Sequence, residues 1–507
     1  MLQKPRAIVV GGGIGGLTAA IDLARQGLAV ELLEQANALG GKVRTSAVGA
    51  ANIGAGPSVL TMGWVFEELF RDCGRSFSEE VPSDVSKILA RHAWSDGTTF
   101  DLYADLERSV AEVTAIFGAT EGAAFRRFSK EMQQIYETVE GPFLRSQKPG
   151  WSDIFRHTRV LGPRSLLRID GLRTLSAALE ERFKEPRLRQ LFGRYATYCG
   201  SSPFQAPATL GLVAHVESSG VLRVRGGMQQ LAVALSSLAK DMGVEVKVGV
   251  RIDEILVEHG RASGVRCAQE TRRADIVVFN GDVSALGAGL LGAKYASKVP
   301  ATPTEERSLS AVTWCVLGRA EGTPLVHHNV FFSDDYAAEF SALLRDSSVP
   351  HEPTVYVCAQ DRGDDEPTLA EERLFVLVNA PATGDKPQNW NESEKQKCRD
   401  NAWKVMERCG VKICANKEAT TTPADFHASF PATGGALYGP ISRGPTAPLK
   451  RQGARTKIPG LYVAGGSAHP GPGVPMAALS GRLAAAAILE DLPSTARFRT
   501  AATFGTT

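Results

Sequence analysis

Ala7-Ile8-Val9-Val10-Gly11-Gly12-Gly13-Ile14-Gly15-Gly16 runs four apolar residues straight into a glycine cluster. Leu17 to Gln26 follows with helical spacing and is stopped by Gly27. Ala29-Val30-Glu31-Leu32-Leu33 then reads as a second strand, ending at Glu34. Strand, glycine turn, helix, strand and acid in that order make a βαβ dinucleotide-binding unit. Gly11 permits the tight turn, Gly13 lets the backbone approach a pyrophosphate, and Gly16 lets the helix pack close on the strand. Gly11, Gly13, Gly15 and Gly16 are the candidate cofactor-binding positions of this turn. The helix N-terminus offers unpaired N–H groups and positive dipole to phosphates, and Glu34 can accept hydrogen bonds from ribose hydroxyls. This unit alone does not tell one dinucleotide from another.

The next segment does. Leu39-Gly40-Gly41-Lys42-Val43-Arg44-Thr45 resembles the second glycine motif of FAD-binding amine-oxidase-like proteins, E-x(5)-G-G-[RK], counted from Glu34. In that family a glycine pair and a basic side chain meet the FAD pyrophosphate. The resemblance therefore implies Gly41, Lys42 and Arg44 in the cofactor site; a plain surface turn with two cations is the alternative. Ile53-Gly54-Ala55-Gly56-Pro57-Ser58-Val59 is similar to the family loop that lies against the flavin ring, which implies Gly56, Pro57, Ser58 and Val59 as well.

A second strand–glycine–helix unit sits near the other end. Gly460-Leu461-Tyr462-Val463-Ala464-Gly465-Gly466 leads through Ser467-Ala468-His469-Pro470-Gly471-Pro472-Gly473-Val474-Pro475-Met476 into an Ala-rich helix expected from Ala477 to about Leu489. Pro475 suits a first helical turn. A helix starting there aims its N–H groups at an electron-rich acceptor. In flavin enzymes that acceptor is the N1–C2=O edge, where stabilising the charge of the reduced form raises oxidising power. Gly466, Gly473, Val474, Pro475 and Met476 are the candidates here. In the middle, Val224-Arg225-Gly226-Gly227-Met228-Gln229-Gln230-Leu231 opens a helix expected through Ala239, with Val244 to Val248 as a strand and Val250-Arg251-Ile252 as its sequel. The family delivers a backbone contact to the adenine at or near Ile252. Ala274 to Asn280 reads as a buried strand returning to the same sheet.

The expected fold is α/β, with a discontinuous Rossmann-like, amine-oxidase-like FAD-binding domain from residues 1–80, 221–292 and 425–492. Residues 293–424, with part of 81–220, are left for a substrate domain. Residues 102–204 form a helical insert for substrate entry and membrane contact, and 493–507 a tail. The length of 507 residues agrees with two or three domains. A net charge of +2 gives no bulk attraction for nucleic acid, and none is expected as a partner. The eight cysteines form no CxxC, and read as reduced, buried thiols. His327 and His328 on a strand would face opposite ways, so no metal site is expected. The N-terminus carries no signal-peptide pattern, and no run of about 18 apolar residues occurs. The expected location is the cytoplasmic side of a bacterial membrane, bound peripherally.

Over nearly its whole length the sequence resembles the phytoene-desaturase-type carotenoid desaturases. His469-Pro470-Gly471-Pro472-Gly473-Val474-Pro475 is similar to that family's THPGGGIP-like segment, with Ala468 and Pro472 as departures. Within the family, four segments look like the hydroxyneurosporene desaturase branch: Gly56 to Met62, Leu191 to Tyr198, His327 to Ser333 and Thr354 to Arg362. That branch introduces the C3–C4 double bond into acyclic 1-hydroxycarotenoids. The resemblance implies FAD as cofactor, hydride transfer to flavin N5 and loss of the neighbouring proton. The cofactor carries the hard step, and no catalytic base can be named from the sequence. Arg194, Tyr198, His327, His328 and Asn329 are the candidates for meeting the substrate hydroxyl. Between Gly141 and Leu179, Arg145, Lys148, Arg156, Arg159, Arg164, Arg168 and Arg173 interleave with apolar residues, as on a helix lying at an anionic bilayer; a solvated amphipathic pair is the alternative. Other readings stay open: a phytoene desaturase proper, a related flavoenzyme, or a prenyl-binding carrier of the same fold. The final electron acceptor, oxygen or a quinone, is not legible.

Overall fold

The computed structural model describes residues 4–147, 169–363 and 369–492. Two sheets organise it. The first has five parallel strands in the order Leu461–Val463, Ile276–Phe279, Arg6–Val10, Ala29–Leu33 and Glu245–Lys247. The first four bury nearly every side chain, as parallel strands covered on both faces must. The strand from the far end of the chain is thus one strand away from the N-terminal one.

Helices Ile14–Arg25 and Val474–Asp491 share one hydrophobic core with helix Gln229–Asp241. Small residues let the first two approach closely. A Cβ on Gly481 would lie against Gly15 O and Thr18 Oγ1, far inside contact distance. Asp22 and Arg482 pair across the same seam at 3.0 Å. Helix Ile14–Arg25 begins three residues earlier than its apolar spacing suggested, because Gly15 and Gly16 join it. The C-terminal helix likewise begins at Val474 rather than Ala477, with Pro475 in its first turn.

The second sheet has seven strands: Val411–Thr421, Ser310–Gly322, Glu372–Ala380, Val355–Ala359, His328–Phe331, Ile88–Ala93 and Thr99–Tyr103. Its pairings are antiparallel except between His328–Phe331 and Ile88–Ala93. Helix Glu392–Arg408 packs on one face, with Trp403 edge-on to Trp314 at 5.4 Å. Helices Leu106–Phe117, Ala119–Val139, Leu175–Arg182 and Pro186–Gly193 form a separate layer around Phe125, Phe128, Phe183 and Phe192. Leu102 itself is in strand Thr99–Tyr103, so the helical layer starts later than expected.

No helix among the described residues is long and apolar enough to cross a membrane. Lys148, Arg156, Arg159, Arg164 and Arg168 lie outside the described residues. The two described cations of that stretch are not free to meet lipid charge. Arg145 is held by Glu68 and Glu140 at 3.0 Å each, and Arg173 by Asp170 at 2.7 Å and by Glu181.

Candidate functional site

A continuous cavity of about 1350 Å³ runs from the glycine turns of the parallel sheet to the face of the seven-stranded sheet. Single drug-sized ligands occupy roughly 300–1,000 Å³, so there is room here for more than one molecule. Every candidate cofactor residue lines it except Gly16: Gly11, Gly13, Gly15, Glu34, Gly41, Lys42, Arg44, Gly56, Pro57, Ser58, Val59, Ile252, Gly466, Gly473, Val474, Pro475 and Met476. Gly16 is buried beneath them, where a Cβ would strike Gly11 O. Its requirement is helix-on-strand packing rather than contact with a ligand.

The two glycine motifs are one structure. Gly40 N donates to Gly12 O at 2.8 Å, and a Cβ on Gly41 would come within 3.0 Å of Gly13 Cα. Gly41 has φ +60°, which suits glycine. Glu34 is buried and accepts from Gly12 N at 2.6 Å and Ala36 N at 2.8 Å. These bonds fix its orientation and leave lone pairs facing the cavity. Val250-Arg251-Ile252 forms no strand but runs along the cavity wall; Glu34 O receives Val250 N at 2.8 Å.

The charge of this end is lopsided. Lys42 Nζ donates to Leu437 O at 2.6 Å and lies 5.2 Å over the Phe430 ring. Arg44 lies 5.3 Å over the Phe426 ring. Neither has an ion-pair partner among the described residues. Burial pushes both pKa values down, and in Lys42 Asp282 opposes the fall. Asp282 acts on Lys42 and Asp425 on Arg44 without forming an ion pair among the described residues, and an anion in the cavity would add to their stabilisation. Helices Ile14–Arg25 and Val474–Asp491 both start here, capped by Gly13 and Gly473 with no side-chain hydrogen bond. Two open helix N-termini and two cations without an ion-pair partner among the described residues, around glycine-lined space, fit the pyrophosphate and the electron-rich ring edge of FAD.

Several residues that build this end were not among the candidate site residues. Asn280 Nδ2 donates to Ala464 O at 2.9 Å, while its Oδ1 faces Gly13 and Gly16. Arg451 is buried and, among the described residues, bonded to the carbonyls of Tyr438, Gly466 and Pro440, so it clamps the C-terminal turn. Gln360 exchanges two 2.9 Å bonds with the backbone of Gly54 and ties the loop before Gly56 to the second sheet. All three are single polar residues in otherwise unremarkable strands or turns, and no spacing marks them.

The other end is apolar, with Val139, Phe143, Leu144, Leu210, Val213 and Val216 in its walls. A polar cluster interrupts it. Arg194 Nη2 donates to Tyr198 Oη at 3.0 Å, Tyr198 Oη donates to Glu217 Oε1 at 2.7 Å, and Tyr195 Oη donates to Glu217 Oε2 at 2.6 Å. Arg194, Tyr198 and Glu217 all line the cavity. Burial pushes the Glu217 carboxyl up, and the Arg194 charge pulls it back in part. Arg194 itself is raised: burial works against its charge, and Tyr198 and Glu217 outweigh it. Glu217, which completes the cluster, was not singled out from sequence, because one acid in a short helix, Val213–Ser218, carries no pattern.

The remaining substrate candidates are elsewhere. His327, His328 and Asn329 do not line the cavity. Asn329 is fully engaged with the backbone of Val326 and Val357, a structural role. His327 Nδ1 lies 2.9 Å from Arg362 O, and Cys358 Sγ lies 3.7 Å from His327 Nε2. The two histidines do not face opposite ways. His327 precedes the strand, so alternation does not apply to it, and the rings meet edge-on at 4.5 Å. His327, His328 and Cys358 therefore cluster within 4.8 Å, with one hydrogen-bond contact between Cys358 and His327 and a ring contact between the histidines. His328 reaches the cavity only through Tyr356, whose Oη lies 2.7 Å from His328 Nδ1 and 2.7 Å from Ser58 Oγ.

Comparison with known proteins agrees with this architecture. Residues 14–489 match the family described as flavin containing amine oxidoreductase. The hydroxyneurosporene desaturase of Rubrivivax gelatinosus is 46% identical over 503 residues, covering 98% of this chain and 96% of that one. The 1-hydroxycarotenoid 3,4-desaturase of a Flavobacterium species is 31% identical over 493 residues, covering 95% and 98%. Among solved structures, an oxidoreductase from Methanosarcina mazei superimposes with a TM-score of 0.59 at 15% identity, covering 96% of this chain and 100% of that one, and shares the fold. Fold, glycine motifs and family match converge: this chain belongs to the flavin-containing amine oxidoreductases, and its cofactor is FAD.

Proposed function

We propose that the chain is an FAD-dependent carotenoid desaturase that introduces the C3–C4 double bond into acyclic 1-hydroxycarotenoids such as 1-hydroxyneurosporene. The names of its full-length relatives support the reaction. The observation that carries the substrate reading is the Arg194–Tyr198–Glu217 cluster, a polar island in an apolar cavity continuous with the cofactor end. An unsubstituted hydrocarbon end has nothing to offer such a cluster. A terminal hydroxyl can pair with it.

When bound, FAD supplies a two-electron hydride acceptor. The chain's residues do the rest. Gly11, Gly13, Gly15 and Gly41 would make room for the pyrophosphate, and Lys42 and Arg44 would neutralise it. Glu34 would hold the ribose, and Ile252 would border the adenine. The loop Gly56 to Val59 would face the ring, and the turn Gly466 to Met476 would direct N–H groups at its electron-rich edge. The apolar walls hold the polyene and exclude water.

The substrate is insoluble, so we place the protein peripherally at a membrane. Leu172 lines the cavity and is 89% exposed, so the cavity meets the surface at an apolar residue. The test of the whole reading is incubation with FAD and 1-hydroxyneurosporene in anionic liposomes, followed by absorption spectra. A lengthened chromophore is expected. Efficient conversion of phytoene with no action on the hydroxylated substrate would overturn it.

A further inference from the structure

We propose that Glu217 is the catalytic base of the desaturation, taking the proton from C3. The inference rests on the 1-hydroxycarotenoid reading above. C3 is separated from the hydroxyl-bearing C1 by a single carbon. A hydroxyl that donates to Tyr198 Oη stands beside the Glu217 carboxylate, 2.7 Å from that oxygen, so the cluster that recognises the substrate also brings a base to the C3–H bonds.

The geometry favours Glu217 over the other buried candidates. It lines the cavity, and each oxygen is held by one tyrosine hydroxyl, leaving further lone pairs on both. The charged and titratable groups that face it are Arg194, Tyr195 and Tyr198. Arg194 keeps an ionised form available, and burial makes that form more basic than a solvated carboxylate. His328 is the alternative, connected to the cavity through Tyr356 and Ser58. Burial pushes its pKa well below the usual histidine range, so it is a poor acceptor. Glu339 lies behind Thr354 and does not line the cavity.

The step balances. The C4–H bond breaks and its electron pair leaves as hydride to the bound flavin. The C3–H bond breaks, its electron pair becomes the C3=C4 π bond, and its proton goes to the Glu217 carboxylate. The substrate loses two hydrogens, and the flavin takes up two electrons and one proton.

The test uses the FAD-loaded protein in anionic liposomes under anaerobic conditions, with Glu217→Gln and Glu217→Asp beside the wild type. The readouts are flavin bleaching on mixing with 1-hydroxyneurosporene, binding of the product by its spectral shift, and the infrared carboxyl band of the substrate-free protein. Glu217→Gln should bleach about a hundredfold or more slowly, while product binding stays within a few-fold. Glu217→Asp should recover part of the rate. Deuterium at C3 should slow Glu217→Gln more than the wild type. A titrating buried carboxyl band should vanish in Glu217→Gln. Unslowed bleaching in Glu217→Gln, or rate and product binding lost in equal measure, overturns the assignment. A wild type that bleaches with neurosporene but not with 1-hydroxyneurosporene instead overturns the substrate reading, and the hydroxyl-to-C3 argument with it.

Discussion

The hydroxyl of Thr18 donates to the carbonyl of Ala478 at 3.0 Å, across 460 residues of sequence. It also lies 3.2 Å from Gly15 O, so one side chain ties the glycine turn to the C-terminal helix. Both helix N-termini that face the cofactor end are set by this seam. Their relative position is a packing problem solved by small residues.

Gly481→Ala tests that seam. The added methyl would meet Gly15 O, Thr18 Oγ1 and Ala19 N, two of them backbone atoms that cannot swing aside. Overpacking of this kind costs roughly 1–3 kcal/mol. The variant should unfold at lower denaturant and release FAD more readily. A wild-type midpoint and wild-type flavin retention together would show that the seam has slack.

Gly13→Val should leave a folded protein that holds no flavin. A Cβ there would lie 2.8 Å from Asn280 Oδ1, and the branched side chain would enter the cavity. The check is flavin absorbance after gel filtration, with circular dichroism to confirm folding. Full occupancy would sink the pyrophosphate assignment of this turn.

Lys42→Met separates a cofactor-binding cation from a structural one. Lys42 is half-buried, with a carbonyl and a ring in contact, no ion pair among the described residues, and Asp282 acting on it only at longer range. A half-buried charge with no ion pair among the described residues contributes little to the apoprotein. FAD affinity should fall, by roughly 1.5–3 kcal/mol for one charge-assisted contact, while apoprotein stability stays level or rises. Loss of apoprotein stability with unchanged FAD affinity would reverse the assignment.

The cofactor end was legible in the sequence because its demands are local. Gly11, Gly13, Gly16 and Glu34 fall within one βαβ unit, and Gly40-Gly41-Lys42 follows at fixed spacing, so each constraint leaves its mark on neighbouring residues. The strand expected at 274–280 is Ile276–Phe279, and the helix expected to open in Val224–Leu231 and run through Ala239 is Gln229–Asp241. The substrate end was only half legible. Arg194 and Tyr198, four residues apart, do face the cavity, but their partner Glu217 comes from another helix, and only tertiary packing joins them. His327, His328 and Asn329 misled for the opposite reason. A run of three polar residues looks functional, yet Asn329 satisfies backbone groups and His328 stops behind Tyr356.

Glu339 predicts a pH dependence of stability. Its Oε2 accepts from Thr354 Oγ1 at 2.7 Å, and its Oε1 has no partner among the described residues. Burial lifts the carboxyl from 4.5 to about 7. A group whose pKa is raised by folding contributes fully below its unfolded value and loses that contribution as pH rises through the folded one. The wild type should therefore lose stability relative to Glu339→Gln as pH rises from about 4.5 to about 7. The difference should level off above that, at about 3 kcal/mol. Urea unfolding of both proteins at either end of this window measures it, and a gap that does not change with pH would refute it.

Tyr198→Phe bears on substrate choice. The Tyr198 hydroxyl accepts from Arg194, donates to Glu217 and faces the cavity, so it has one lone pair left for a ligand. Removing it keeps the ring, which lies 5.1 Å from the Arg194 guanidinium carbon, and keeps the apolar walls. A hydroxylated substrate then loses a hydrogen bond that an unhydroxylated one never made. A buried group left unpaired costs roughly 1–3 kcal/mol, about five- to a hundredfold in rate. In competition between neurosporene and 1-hydroxyneurosporene, the wild type should favour the hydroxylated carotenoid, and Tyr198→Phe should narrow the preference by about that factor, mainly through slower use of the hydroxylated one. His328→Ala, outside the cavity, should change the ratio much less. If Tyr198→Phe slows both substrates equally, the hydroxyl serves only to brace Arg194 and Glu217, and the substrate's polar end must be read elsewhere in the cavity.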